Sequence, residues 1–291
     1  MNDALARARL SLEGLSVGDA VGEQLLHAGP HNRARLLEER AVPLHRRFMW
    51  TDDTAMALSI VEVLETAHEI DSAQLALAFA RRHHAEPARG YGRGAHQVLE
   101  AIYAGQPYAE AARMLFGGEG SMGNGGAMRA APVGAYFCDD LAATVANAAR
   151  SAVPTHAHAE GIAGAIAVAV TAARVFAGER DPRALIAAVI EHTPAGATRS
   201  NLMRAAAMLG EEPLTVATEL GNGSNVISAD TVPFSVWCAA THLHDYAAAL
   251  WACGDVGGDI DTTGAIVGGI IVGAVGLEGI PAAWRAAREP L

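Results

Sequence analysis

Gly257-Gly258-Asp259-Ile260-Asp261-Thr262-Thr263 runs directly into Gly264-Ala265-Ile266-Val267-Gly268-Gly269-Ile270-Ile271-Val272-Gly273, and this stretch decides the fold. Two carboxylates and two threonine hydroxyls stand immediately before an apolar run of helical character. Glycine inside a helix costs roughly 1 kcal/mol relative to alanine. The small-xxx-small spacing of Gly264, Gly268, Gly269 and Gly273 therefore needs a local reason, and close approach of neighbouring helices supplies one. The stretch is expected at the centre of a helical bundle, with Asp259 and Asp261 just ahead of its N-terminus.

Outward from this segment, helical periodicity dominates. It predicts helices over 53–69, 72–84, 94–104, 108–115, 140–151, 158–177, 182–192, 200–208, 213–220, 230–240, 245–252, 262–275 and 281–288. Pro182, Pro213 and Pro281 suit first turns, and Thr51 or Asp52, Ser72, Asp230 and Asp245 suit N-caps. Alternating strand patterns are nearly absent, with 133–137 ambiguous. No linker, low-complexity segment or repeat divides the chain. The reading is all-α: a single compact multi-helix domain over 1–291.

Composition sets the packing style. Hydrophobic residues make up 51% of the 291 and aromatics only 5%, so the core must be built from small aliphatic residues in closely packed helices. A net charge of −11 lacks the basic stripe of a nucleic-acid binder. There is no lysine, which excludes Schiff-base and P-loop lysine chemistry. Cys138, Cys238 and Cys253 show no CxxC spacing, and the N-terminal residues show no signal-peptide core. A reduced, cytoplasmic compartment is expected. The apolar runs near 162–173 and 264–277 fall short of the roughly 18–20 residues of a membrane span and read as buried helices.

A second acidic cluster, Trp50-Thr51-Asp52-Asp53-Thr54, has the same composition as the first and also precedes a helical pattern. Four carboxylates brought together repel one another, and burying them unpaired is costly. One or two divalent cations resolve the conflict. The donors are hard oxygens, which selects Mg²⁺, Mn²⁺ or Ca²⁺ over Zn²⁺. N-capping alone explains one or two of these residues, not two matching clusters. The loop 117–129 carries six glycines in thirteen residues, with Ser121, Asn124 and Arg129. Converging main-chain N–H groups there would hold phosphate oxygens; the other reading is a flexible surface loop. His156-Ala157-His158 has zinc-ligand types but no further soft ligand nearby, so a polar pocket wall or a helix-start histidine fits better. Asp259-Ile260-Asp261-Thr262-Thr263 matches the DxDxT loop of haloacid-dehalogenase-type phosphatases, but no strand or sheet surrounds it.

Together these motifs resemble the ADP-ribosylglycohydrolase family, the ADP-ribosyl hydrolases related to dinitrogenase-reductase-activating glycohydrolase. Gly18-Asp19-Ala20-Val21-Gly22 resembles the family's GDALG, and Thr51-Asp52-Asp53-Thr54 its TDDT. Residues 121–129 resemble its (S)xGNGxAMR, Thr155-His156 its TH, and Gly258-Asp259-Ile260-Asp261-Thr262 its GGDxDT, all in the family's order.

The resemblance implies an all-α fold with two Mg²⁺ ions, or Mn²⁺, at the base of a cleft. By motif position Thr51, Asp52, Asp53, Asp259, Asp261 and Thr262 would be the ligands. Ser121, Gly123, Asn124 and Gly125 would line the diphosphate and ribose, with His156 near the distal ribose and phosphates. The implied reaction is hydrolysis of the glycosidic bond between ADP-ribose and a protein side chain or small acceptor, through an oxocarbenium-like transition state. Asp53 or Asp259 would accept the water proton. Many members carry a glutamate four residues after the last glycine of GDALG, central in the serine-linked branch. Here that position is Leu26, and the nearest glutamate is Glu23, which either takes over the catalytic role or leaves the mechanism without that residue. Two other functions remain open at this level: a non-catalytic ADP-ribose binder and a metal-dependent nucleotide phosphohydrolase.

Overall fold

The longest helix, α1 (Asp3–His27), stands where the sequence shows no helical periodicity. The computed structural model describes residues 3–44 and 46–291, and helices account for nearly all of its regular structure. After α1 come α2 (Pro30–Glu39), α3 (Asp52–Ala67), α4 (Ser72–Ala85), α5 (Arg93–Tyr103) and α6 (Tyr108–Ala111). The middle of the chain forms α7 (Gly125–Met128), α8 (Ala131–Tyr136), α9 (Leu141–Ala152), α10 (Ala159–Phe176), α11 (Pro182–His192) and α12 (Ala197–Ala207). The last part forms α13 (Pro213–Leu220), α14 (Ser228–Thr241), α15 (Tyr246–Val256), α16 (Ile260–Val275) and α17 (Ala282–Ala287). Among the described residues no strand forms; Phe48 and Arg288 make one isolated bridge, and Gly123 and Ile227 another.

The glycines of α16 act as expected. Gly14, Gly18 and Gly22 place a glycine on one face of α1 at every fourth residue. A Cβ at Gly14 would collide with the Gly268 carbonyl, one at Gly18 with the Gly264 carbonyl, and one at Gly22 with the backbone of Ile260 and Asp261. Conversely, a Cβ at Gly264 would lie 2.6 Å from the Gly18 carbonyl oxygen. Two glycine stripes interlock, so α1 and α16 meet backbone to backbone. This contact brings Asp19 on α1 beside the N-terminus of α16. Tyr246 reinforces it by donating a 2.5 Å hydrogen bond from α15 to the Gly14 carbonyl.

Around this pair the core is continuous from Ala8 to Trp284 and rich in alanine, valine and isoleucine, as composition required. The apolar run near 162–173 extends into α10, whose 18 residues are long and apolar enough to cross a membrane; 72% of them are buried against neighbouring helices. Of the N-caps expected from sequence, two are shifted. Asp71, not Ser72, caps α4 by accepting from the N–H groups of Ala73 and Gln74. Asp230 lies in the first turn of α14, not at its cap, and accepts from the Asn225 N–H at 2.8 Å. Thr51 and Asp245 do cap α3 and α15. The expected helix over 108–115 stops at Ala111.

Candidate functional site

Two helix starts and the middle of α1 converge on one buried acidic centre. Thr51 caps α3 and places Asp52 and Asp53 in its first turn. Asp259 precedes α16, and Asp261 occupies that helix's first turn. Helix N-termini favour carboxylates, but five so close together are mutually repulsive. The fifth is Asp19, fully buried on α1. Its carboxylate accepts from the Thr51 N–H at 2.9 Å, the Thr51 hydroxyl at 3.0 Å, the Thr54 N–H at 3.1 Å and the Thr54 hydroxyl at 2.5 Å. Asp19 thus anchors the start of α3 to α1.

Asn124, in the glycine loop, donates from Nδ2 to Asp259 Oδ2 at 2.6 Å and to the Thr231 hydroxyl at 3.0 Å. The sequence expectation set Asn124 beside the phosphates; the structure sets its amide on a carboxylate of the acidic centre. Glu23 lies one turn beyond Asp19 on α1, at the rim, and pairs with His27 at 3.0 Å.

Electrostatics show an excess of negative charge. Burial, with neighbouring carboxylates adding, raises Asp52 from 3.8 to about 8 and Asp53 well above the carboxylate range. Burial likewise raises Asp19 to about 7 against the hydrogen bonds from Thr54 and Thr51, and Asp259 to about 7 with help from Asp261. Burial also raises Glu23, opposed by His27. Asp53 Oδ1 and Asp261 Oδ1 are buried with no hydrogen-bond donor. The Thr51 hydroxyl lies 3.0 Å from Asp19 Oδ1 and 2.9 Å from Asp53 Oδ2, yet has a single proton to give. A proton or a cation must satisfy these oxygens, and the all-oxygen donor set fits a hard divalent ion.

Beside this centre the glycine loop is pinned, not free. Gly123 N–H bonds the Ser121 hydroxyl at 3.0 Å, Asn124 N–H the Val226 carbonyl at 3.1 Å, and Ser228 N–H the Met122 carbonyl at 3.0 Å. His156 is buried under the loop: a Cβ at Gly123 or Gly125 would come within 3.3 Å of its Nε2. Arg129, expected to add charge to the loop, is instead fully buried. Its guanidinium donates to the Gly125 carbonyl at 2.7 Å, the Ser151 carbonyl at 3.0 Å and the Thr155 hydroxyl at 2.8 Å, and stands 4.4 Å over the Phe79 ring. Burial lowers it to about 9.

The histidine tautomer is assigned from where the Thr155 hydroxyl can place its own proton. Thr155 Oγ1 accepts from Arg129 and lies 2.7 Å from His156 Nδ1. Among the described residues Nδ1 is the acceptor the Thr155 hydroxyl reaches, so the hydroxyl donates to it and the ring proton sits on Nε2. Burial, aided by Arg129, lowers His156 to about 3 and keeps it neutral. His156 therefore presents a neutral Nε2–H toward the glycine loop. His158 is a helix-start residue, accepting from the Glu160 N–H at 3.1 Å.

Sequence reading missed how central Asp19 is and missed the supports around Thr51. Trp50 N–H donates to Glu289 Oε1 at 2.9 Å, and Arg89 joins Glu289 while lying 3.5 Å over the Trp50 ring. Nothing near Glu289 in sequence signals this long-range role.

The fold and site define an all-helical protein with a buried carboxylate centre, suited to a hard cation, next to a rigid glycine loop. A family model described as ADP-ribosylglycohydrolase matches residues 1–290, and the chain belongs to that family. It is 27% identical to ADP-ribosylhydrolase ARH3 of Homo sapiens over 98% of this chain and 90% of that protein. Identity to ADP-ribosylhydrolase ARH3 of Gallus gallus is 29%, over 82% of this chain and 74% of that one. ADP-ribosylarginine hydrolase Tri1 of Pseudomonas putida (strain GB-1) is 27% identical over 97% of this chain and 74% of its own length. A solved chain from an ADP-ribosylglycohydrolase-related protein complex superposes with a TM-score of 0.67, covering 99% of this chain and 94% of that one, at 23% identity, and so shares the fold.

Proposed function

We propose that this protein is a divalent-cation-dependent hydrolase that cleaves the glycosidic bond between ADP-ribose and a protein side chain or small acceptor. The observation that carries the reading is the pair of buried, donor-less oxygens Asp53 Oδ1 and Asp261 Oδ1 within one acidic centre. The family membership and the similarity to two kinds of ADP-ribosyl hydrolase support the substrate class.

Thr51, Asp52, Asp53, Asp259, Asp261 and Thr262 would hold two Mg²⁺ ions, with Mn²⁺ as the alternative. Bound there, such ions supply charge stabilisation and a more acidic water. The chain's own residues supply the rest. Asp19 fixes the α3 start, so Asp52 and Asp53 keep their positions without rearranging. Asn124 holds Asp259 by one oxygen. His156 offers its Nε2–H, and the pinned loop at Ser121, Gly123 and Gly125 offers main-chain groups, to the phosphate and ribose oxygens. Exposed Phe116 beside that loop and Met122 within it offer apolar surface to a nucleobase. The water proton would pass to Asp53 or Asp259. Glu23 would take that role only by giving up its contact with His27. Buried, unlinked cysteines accord with action in a reduced, cytoplasmic compartment.

The test is release of free ADP-ribose from arginine-linked and serine-linked ADP-ribosylated substrates, with Mg²⁺ and then with EDTA. Metal-dependent release from either is expected, and Asp53→Asn or Asp261→Asn should reduce it at least about 10³-fold with the helical signal intact. AMP or inorganic phosphate as product would replace this reading with a phosphohydrolase. Tight ADP-ribose binding without turnover of either linkage would favour a binding protein.

A further inference from the structure

On the far side of the loop that backs Asp52, three metal-ligating side chains meet outside the acidic centre. His83 is buried in the last turn of α4, and His96 and Glu100 lie one turn apart on α5. A spacing of four residues puts both α5 side chains on one helix face. His83 Nε2 faces His96 Nδ1 at 2.7 Å, and a Glu100 carboxylate oxygen joins them with all three atoms within 4.8 Å of one another. We propose that His83, His96 and Glu100 form a second metal site, selective for a borderline cation of the Zn²⁺ class and chemically distinct from the hard-oxygen centre at Asp53 and Asp261.

The donor set makes the selection. Two imidazole nitrogens and one carboxylate suit Zn²⁺, Co²⁺ or Ni²⁺, whereas Mg²⁺ favours oxygen ligands and retains its waters. Without a cation, two neutral rings face each other with one proton between them. A cation takes the place of that proton, which moves to the outer nitrogen of the ring that held it, and both lone pairs then point at the ion. Nitrogens bound at about 2.0–2.1 Å in a tetrahedral arrangement stand roughly 3.3 Å apart, so the rings need to separate by only about 0.6 Å. His96 is half-buried and Glu100 exposed, so the movement falls on the open side, and the fourth coordination position faces solvent.

The surroundings hold the ligands in place. The Tyr91 ring packs edge-on against His83 at 4.8 Å and against His96 at 5.9 Å. Next to it, a Cβ at Gly90 would lie 3.4 Å from Asp52 Oδ1. Adjacent residues of the segment 86–92 thus face the histidine pair (Tyr91) and the acidic centre (Gly90). A cation bridging α4 and α5 closes the ends of this segment and stiffens the wall behind Asp52.

The experiment is a Zn²⁺ titration of the whole protein by calorimetry, with Mg²⁺ in excess to occupy the oxygen centre. Co²⁺ serves as a parallel probe, its visible absorption reporting nitrogen ligation at low coordination number. One equivalent of Zn²⁺ is expected, with a raised melting temperature. Glu100→Gln, an exposed change that leaves the core alone, should weaken binding about 10–100-fold, and His96→Gln should abolish both binding and the Co²⁺ bands. Asp261→Asn should retain both. No Zn²⁺ binding, unchanged binding in Glu100→Gln, or loss of binding in Asp261→Asn would each overturn the site; the last would assign the zinc to the acidic centre. None of these readings depends on ADP-ribose release, so a failed hydrolase assay and a failed zinc site are separable.

Discussion

Asp19 gathers four donors from two threonines onto one buried carboxylate, and this sets what its removal must do. In Asp19→Ala the N–H and hydroxyl groups of Thr51 and Thr54 lose their acceptor in a place closed to water. Buried unsatisfied groups cost about 1–3 kcal/mol each, partly relieved by water entering the space left behind. A net loss of about 3 kcal/mol is expected in urea unfolding, together with a fall in activity, because the start of α3 is no longer fixed. Unchanged stability would show that the α3 start stands without Asp19. Thr155 makes a second case, since its hydroxyl orients His156 while also accepting from buried Arg129, so some loss of stability should accompany its removal. Thr155→Val keeps the shape but frees Nδ1 of His156 to carry the proton, leaving Nε2 as an acceptor facing anionic oxygens. KM for an ADP-ribosyl substrate should rise about tenfold, equivalent to about 1.4 kcal/mol, with kcat less affected. A change in kcat alone would place His156 in the bond-breaking step instead.

Among the elements, α1 and α16 form the contact that assembles the site, and its tolerance is small. Gly18→Ala sets a methyl group against the Gly264 carbonyl and forces the helices apart. Overpacking typically costs about 1–3 kcal/mol; here Asp19 moves with α1, so a lower melting temperature should accompany reduced metal affinity. Wild-type metal affinity in a destabilised Gly18→Ala protein would show that the stripes set stability but not site geometry. The same contact explains what the sequence revealed. Helix α16 was legible because glycine recurs within a strongly apolar run. Helix α1 was not, because residues 14–22 are buried on every face, and a stretch covered all round has no polar side to create a period. The acidic motifs were legible because chemistry concentrates them within a few residues of the chain. Arg129 misled because charge in a loop suggests solvent, while here the terminal guanidinium nitrogens bond two main-chain carbonyls and the Thr155 hydroxyl beside an aromatic ring, with Nε left unpartnered. His83, His96 and Glu100 come from two helices, and no local pattern brings them together.

For the whole molecule, the acidic centre makes stability depend on pH and on metal in a coupled way. Asp52 is raised from 3.8 to about 8, and Asp19 and Asp259 to about 7. In the unfolded chain these groups ionise near 4. Between the two values the metal-free native state binds more protons than the unfolded state, so its stability falls as pH rises. His156 acts in the opposite sense: it is lowered from 6.5 to about 3, so its neutral burial adds stability as pH climbs to 6.5 and nothing beyond. Above 6.5 the carboxylates set the trend, with Arg129, lowered to about 9, opposing them only near the alkaline end. Each proton retained only by the native state contributes a slope of about 1.4 kcal/mol per pH unit. In EDTA the melting temperature should decline from pH 6.5 to 8.5. Saturating Mg²⁺ should remove the decline, because a cation binds the ionised centre more tightly as its protons leave. The protein would then gain most from the metal at the alkaline end of the range. Thermal unfolding across these pH values, with and without Mg²⁺, measures both effects; a flat or rising metal-free curve would mean that the five carboxylates already have their countercharge within the protein.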